Sequence, residues 1–99
     1  MANVWTHGTW TVKAGNEDAF VAEWLALVRL TATDFPTPEP PTLLRDRDRP
    51  NVFESFGPWP DAAAVERFRA SAAFREAQER MRDLLESFEP QTLDEVSHS

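Results

Sequence analysis

The chain opens on a segment, Val4 to Val12, that alternates without ever becoming one-sided. Its even positions are Val4, Thr6, Gly8, Trp10 and Val12, and its odd positions are Trp5, His7, Thr9 and Thr11. β-Branched and aromatic residues dominate, so the segment reads as a strand with bulky side chains on both faces. Ala14-Gly15-Asn16 marks a turn ending in a candidate helix N-cap, with Glu17 and Asp18 well placed in the first turn. Phe20, Trp24, Leu27, Val28 and Thr31 then recur at helical spacing, which predicts an amphipathic helix to about Ala32.

Residues 34–41, DFPTPEPP, hold four of the eight prolines and read as a stiff surface loop. Two short strands follow, Thr42–Asp46 and Val52–Gly57, joined by a polar hairpin loop. Pro58 and Pro60 bracket Trp59, and the spacing predicts that the chain leaves the sheet there. Asp61 is placed to cap a short helix carrying Val65 and Phe68, and Ser71 to cap a second. Phe74, Ala77, Gln78, Met81, Leu84, Leu85 and Phe88 share one face of that second helix, which Pro90 would end. Thr92–Val96 then reads as a last edge strand, with a frayed tail at 97–99.

The order strand, helix, strand, strand, helix pair, strand predicts an α+β, ferredoxin-like split βαβ domain over residues 1–99, with a four-stranded antiparallel sheet. Its helices can cover only one sheet face, whereas the first strand is bulky on both. A second copy of the chain is the simplest cover, so the pattern predicts a homodimer through the sheet faces.

Composition narrows the chemistry. The absence of cysteine excludes a thiol nucleophile, a Cys-ligated zinc and an iron–sulfur cluster. The absence of tyrosine removes the phenol that often donates protons in small oxidative sites. A formal charge of −7 argues against nucleic acid or an anionic membrane as partner. No basic segment leads into an apolar run, and no apolar stretch is long enough for a span, so the expectation is a cytoplasmic protein. No phosphate loop, nucleophile elbow or HExxH motif occurs. The Asp46 to Arg49 cluster reads as a solvated hairpin tip, not a metal site.

Three residues attract chemical interest. His7 is either a base facing a pocket or a half-buried strand histidine bonded to backbone. Gln78 interrupts an apolar helix face, so its amide satisfies backbone, meets water in a cavity, or touches a ligand. Trp59, pinned by prolines, is a lid on the core or a flat wall for an aromatic ligand. Phe20, Trp24, Phe68 and Phe74 sit at core spacing.

The opening strand followed by TVKAGNEDAF (11–20), the pair TLLRD (42–46) and NVFESFGPW (51–59), and DAAAVERFRASAAFREA (61–77) resemble the antibiotic biosynthesis monooxygenase family. The resemblance implies a dimeric α/β barrel and oxygenation of phenolic aromatics with no metal or flavin. Trp59 is similar in placement to a family tryptophan, Ser55 falls where a family asparagine stands, and Val65 falls at a family tyrosine. A haem-degrading branch has a tryptophan near Phe68 and an axial histidine near Gln78, and glutamine is a poor iron ligand. The expectation is therefore a cofactor-independent monooxygenase acting on a small aromatic or quinol-type substrate. In it His7 is the base, Ser55 or Gln78 orients the phenol oxygen, and Trp59, Phe68 and Phe74 are the walls. The alternative is a non-catalytic dimeric ligand-binding or stress-related protein of the same fold. A cavity reached by His7, Ser55 and Gln78 favours the enzyme; a filled core favours the binder.

Overall fold

A computed structural model describes residues 4–97. Four strands and three helices follow in the order β1 (Val4–Val12), α1 (Glu17–Thr31), β2 (Thr42–Arg45), β3 (Val52–Trp59), α2 (Ala62–Arg69), α3 (Ala72–Arg82) and β4 (Leu85–Asp94). The sheet order is β2-β3-β1-β4 and every neighbouring pair is antiparallel. β1 and β2 are therefore parallel strands split by β3, which is the ferredoxin-like arrangement the pattern predicts.

The even residues of β1 face the helices. Trp10 and Val12 join Phe20, Trp24, Phe53 and Met81 in the main core, and Val4 joins Trp59, Ala64 and Val65 in a second cluster. The odd residues lie on the other face, where Trp5, His7, Thr9 and Thr11 stand opposite Pro58, Phe56, Glu54 and Val52 of β3. On this open face Leu44 and Leu93 are 52% and 42% exposed.

Local chemistry sets the helix starts. The Asp61 carboxylate accepts from Ala64 N–H at 2.8 Å, and the Ser71 hydroxyl accepts from Phe74 N–H at 3.2 Å, as the spacing predicts. Asn16 stands at the N-cap of α1 without a side-chain cap bond; Glu17 instead accepts from Gly15 N–H at 2.9 Å.

Three expectations about the strands need correction. β3 runs through Pro58 to Trp59, with Pro58 paired to Trp5. β2 flanks β3 only as far as Phe56, so a residue lacking an N–H is tolerated beyond that point. α3 stops at Arg82, not at Pro90, and β4 begins at Leu85 rather than Thr92. Phe88 thus belongs to a strand, where it pairs with Trp10 and stacks on it with centroids 3.8 Å apart. Pro90 sits in β4 opposite Gly8 because β4 is an edge strand. Of the expected frayed tail, residues 98 and 99 lie outside the described residues. No helix among the described residues is long and apolar enough to cross a membrane.

Candidate active site

Between the helix face of the sheet and the helices lies a cavity of about 370 Å³. Its floor is built by β1 and β3. Gly8 is buried there, and a Cβ at that position would come within 2.9 Å of Phe88 Cε1, Ser55 Oγ and Trp10 Nε1 at once. The missing side chain lets those three groups meet beneath the cavity. Trp10 Nε1 donates to Ser55 Oγ at 2.9 Å. Two strand positions away, Trp59 Nε1 donates to Thr6 Oγ1 at 3.0 Å. Both indoles thus spend their single N–H on a hydroxyl; Thr6 Oγ1 in turn donates to the Gly57 carbonyl at 3.5 Å, whereas the Ser55 proton can serve another acceptor.

The walls are aromatic. Trp59 and Phe68 have ring centroids 5.1 Å apart, Phe68 and Phe74 5.0 Å, and Phe35 meets Phe68 edge-on at 5.5 Å. The cap of α3 helps position Phe74, because Ser71 both accepts from Phe74 N–H and donates to the Phe68 carbonyl at 2.6 Å. Trp24, Leu27 and Thr31 of α1 line another side, and the 34–41 loop forms much of the rim, with Phe35 to Pro41 all along the cavity. Proline density limits how far that rim can move, which reduces the ordering cost of holding a ligand.

The structure brings together Ser55, Trp59, Phe68 and Phe74 along one cavity. His7 is not delivered to it. It borders the cavity only as a link of β1 between Thr6 and Gly8, and alternation carries its imidazole to the opposite sheet face. There the ring stacks on Phe56 with centroids 4.7 Å apart, and Nε2 lies 2.7 Å from Glu54 Oε1. Nδ1 lies 3.0 Å from Gln91 Oε1, and Thr9 Oγ1 donates to the same Glu54 oxygen at 2.8 Å. His7 is thus neither pocket base nor backbone-bonded. It has a cross-strand carboxylate partner invisible in the linear sequence. Gln91, then Glu54, holds its pKa above the ordinary 6.5, against burial that lowers it.

Gln78 also departs from expectation. It is exposed on α3, whose buried line is Ala77 and Met81, so its amide meets solvent instead of an apolar cavity. Val65 is 2% exposed inside the second core cluster. Asp46 accepts from the backbone N–H groups of Asp48 and Arg49 and pairs with the Arg49 guanidinium at 3.1 Å. Those bonds, the backbone of Asp48 foremost, hold its carboxyl below the usual aspartate range and make it a turn-builder.

Sequence reasoning missed Thr6, Gly8, Trp10 and Arg69, which all line the cavity. A glycine two residues from a tryptophan on the same strand face was the available signal for a floor. Arg69 carried no such signal.

A small ferredoxin-like α+β chain with an aromatic-walled cavity between sheet and helices is the class these observations define. The antibiotic biosynthesis monooxygenase family matches residues 4–80, and the chain belongs to that family. Its fold is similar to that of a variant of SnoaB, a cofactor-independent oxygenase from Streptomyces nogalater, with a TM-score of 0.86 and 23% identity. That alignment covers 99% of this chain and 97% of SnoaB. A conserved protein from Methanosarcina mazei aligns with a TM-score of 0.84 at 14% identity, over 96% of this chain and 94% of that one. PA3566 from Pseudomonas aeruginosa aligns with a TM-score of 0.81 at 23% identity, over 98% and 97%. No curated protein matches the sequence. Family and fold together support a general monooxygenase-like role.

Proposed function

We propose that the chain is a cofactor-independent monooxygenase that oxidises a small aromatic or quinol-type substrate with O₂ in the cavity. The observation that carries this reading is the Trp10–Ser55 pair, a hydroxyl oriented by a buried indole on the floor of an aromatic-walled space. The description of SnoaB as a cofactor-independent oxygenase adds support, since the two folds superpose along nearly their whole length.

The chemistry follows from the walls and the hydroxyls. A flat phenol or anthrone lies against Trp59, Phe68 and Phe74. Ser55 accepts from Trp10 and donates its own proton to the substrate oxygen, which favours the phenolate or enolate over the neutral form. The apolar walls exclude water, so the anion is held where few other donors quench it. The anion passes one electron to O₂, and the resulting substrate radical and superoxide recombine at carbon. The peroxide then takes up a proton and collapses to a carbonyl. One oxygen atom ends in the quinone product and the other in water. In this reading the substrate enters as its anion, and neither His7 nor Gln78 takes the proton.

The non-catalytic reading keeps one observation in its favour: the imidazole offered as base turns away from the cavity. The two readings separate on oxygen consumption with a panel of anthrones and hydroquinones, followed by mass analysis of products formed under ¹⁸O₂. One labelled atom per product molecule supports the oxygenase. Tight binding without oxygen uptake supports the binder and overturns the oxygenase.

We also propose that the open sheet face packs on a second copy of this chain. Trp5, Phe56, Leu44 and Leu93 supply apolar surface there, and helices cover only the other face. Light scattering at micromolar concentration tests this; a monomer mass would overturn it.

A further inference from the structure

One charged side chain of the cavity has no part in the oxidation just described. Arg69 is the last residue of α2, half-buried, and it lines the cavity beside Phe68, Phe74 and Pro90. Its Nη1 donates to Thr92 Oγ1 at 2.8 Å and its Nη2 to the Gln91 carbonyl at 3.4 Å. These two bonds fix the plane of a guanidinium that carries five N–H donors, and they leave donors over.

The ion pairs among the described residues are His7–Glu54, Arg49–Asp46 and Arg80–Glu23, and none includes Arg69. The chain has seventeen acidic residues, yet among the described residues no carboxylate pairs with this cation. Glu39 also lines the cavity, but on the exposed proline loop. The site therefore offers a tethered, planar, bidentate donor next to ring-stacking surface. That is the combination that recognises a carboxylate attached to a flat aromatic.

We propose that Arg69 is the anion subsite of this cavity, so that its occupant is an aromatic carboxylate. The inference deepens the proposed function, and rests on it only for the claim that the acid also carries an oxidisable phenol or enol. Thr92 is a positioning residue, since it holds the guanidinium and does not itself face the acid. The overall charge of −7 works against anions at long range, so any preference for the acid must come from a local cation.

The test is equilibrium binding without oxygen, read by tryptophan fluorescence, of 2-naphthoate against the neutral, near-isosteric 2-naphthamide. The wild type should bind the naphthoate about ten-fold tighter or more, with the preference shrinking as salt is raised. Arg69→Gln should abolish the preference while leaving naphthamide affinity within about two-fold, and Arg69→Lys should keep part of it. Thr92→Val should reduce the preference without removing it. Equal affinities for the two probes in the wild type overturn the proposal, as does failure of both to bind. Parallel weakening of both probes by Arg69→Gln would make Arg69 a structural tether and overturn it too. Turnover of neutral quinols without any preference for acids sinks this inference and leaves the oxygenase standing. Acid-selective binding with no turnover of any quinol does the reverse.

Discussion

Replacing Gly8 by alanine is the sharpest perturbation of the cavity floor. The new Cβ would meet Phe88 Cε1, Ser55 Oγ and Trp10 Nε1, each at 2.9 Å, closer than such atoms approach in practice. None of the three can retreat freely. Phe88 is stacked on Trp10 at 3.8 Å, Trp10 packs against Phe20 at 5.2 Å, and Ser55 can rotate only by giving up the Trp10 bond. Overpacking of this kind costs about 1–3 kcal/mol. An indole N–H left unpaired adds about 1 kcal/mol. The expected loss is about 2–4 kcal/mol, a large part of the roughly 5–15 kcal/mol typical of a domain. At about 4–8 °C per kcal/mol for a chain of this size, the melting midpoint should fall by about 8–32 °C. Thermal unfolding followed by circular dichroism measures it. Gly15→Ala is the contrast: Gly15 has φ +94° with nothing within 4 Å of a Cβ, so its cost is backbone strain of about 1–2 kcal/mol. Trimming Phe88 to leucine should partly rescue Gly8→Ala and leave Gly15→Ala unrescued. A Gly8→Ala melt within about 0.5 kcal/mol of wild type, or strict additivity with Phe88→Leu, would refute the close-approach reasoning.

Further outcomes follow from the same geometry. Asp61→Ala and Ser71→Ala should each destabilise by about 0.5–2 kcal/mol in urea titrations, through loss of an N-cap bond. Ser71→Ala should also weaken aromatic-ligand binding, because Ser71 ties Phe74 to Phe68 in the cavity wall. On the open face, His7 faces Glu54 and Phe56 of β3, Gln91 and Glu89 of β4, and Thr9 of its own strand. Its raised pKa contributes stability that is fully present below about pH 6.5 and lost as the pH rises through the native value. The melting temperature of wild type should therefore decline over that window relative to His7→Gln. Parallel pH profiles for the two proteins would contradict the assignment.

The architecture was legible wherever patterning and caps agreed. β1, α1 and the caps at Asp61 and Ser71 follow from alternation, helical spacing and short polar side chains. The errors arose where one residue fits two structures. Phe88 is seven residues after Met81, a spacing that suits a helix face, and only its stacking on Trp10 makes it a strand residue. Pro58 and Pro90 read as terminators because the sequence does not reveal which strand stretches lack a neighbour on one side. For the site, the flanking prolines single out Trp59 and a family likeness points to Ser55, whereas the spacing of Phe68 and Phe74 alone reads as core. The side on which His7 projects depends on strand register against the helices, and its partners Glu54 and Gln91 lie 47 and 84 residues away. Gln78 falls on the apolar arc of α3 yet is exposed, because a helix lying on a sheet buries a narrower stripe than that arc suggests.

The central claim is that aromatic oxidation takes place on the helix side of the sheet, over Ser55 and Trp59. The most direct measurement is the oxygen-consumption rate of wild type, Ser55→Ala, Trp59→Phe and His7→Gln on one anthrone substrate. Wild type should consume oxygen and form quinone in equal amounts. Ser55→Ala, which removes the donor to the substrate oxygen, should be slower by about ten- to a hundred-fold. Trp59→Phe should be slower as well, and His7→Gln should keep the wild-type rate. A wild type that takes up no oxygen, or a His7→Gln protein that loses activity while Ser55→Ala retains it, would contradict the claim.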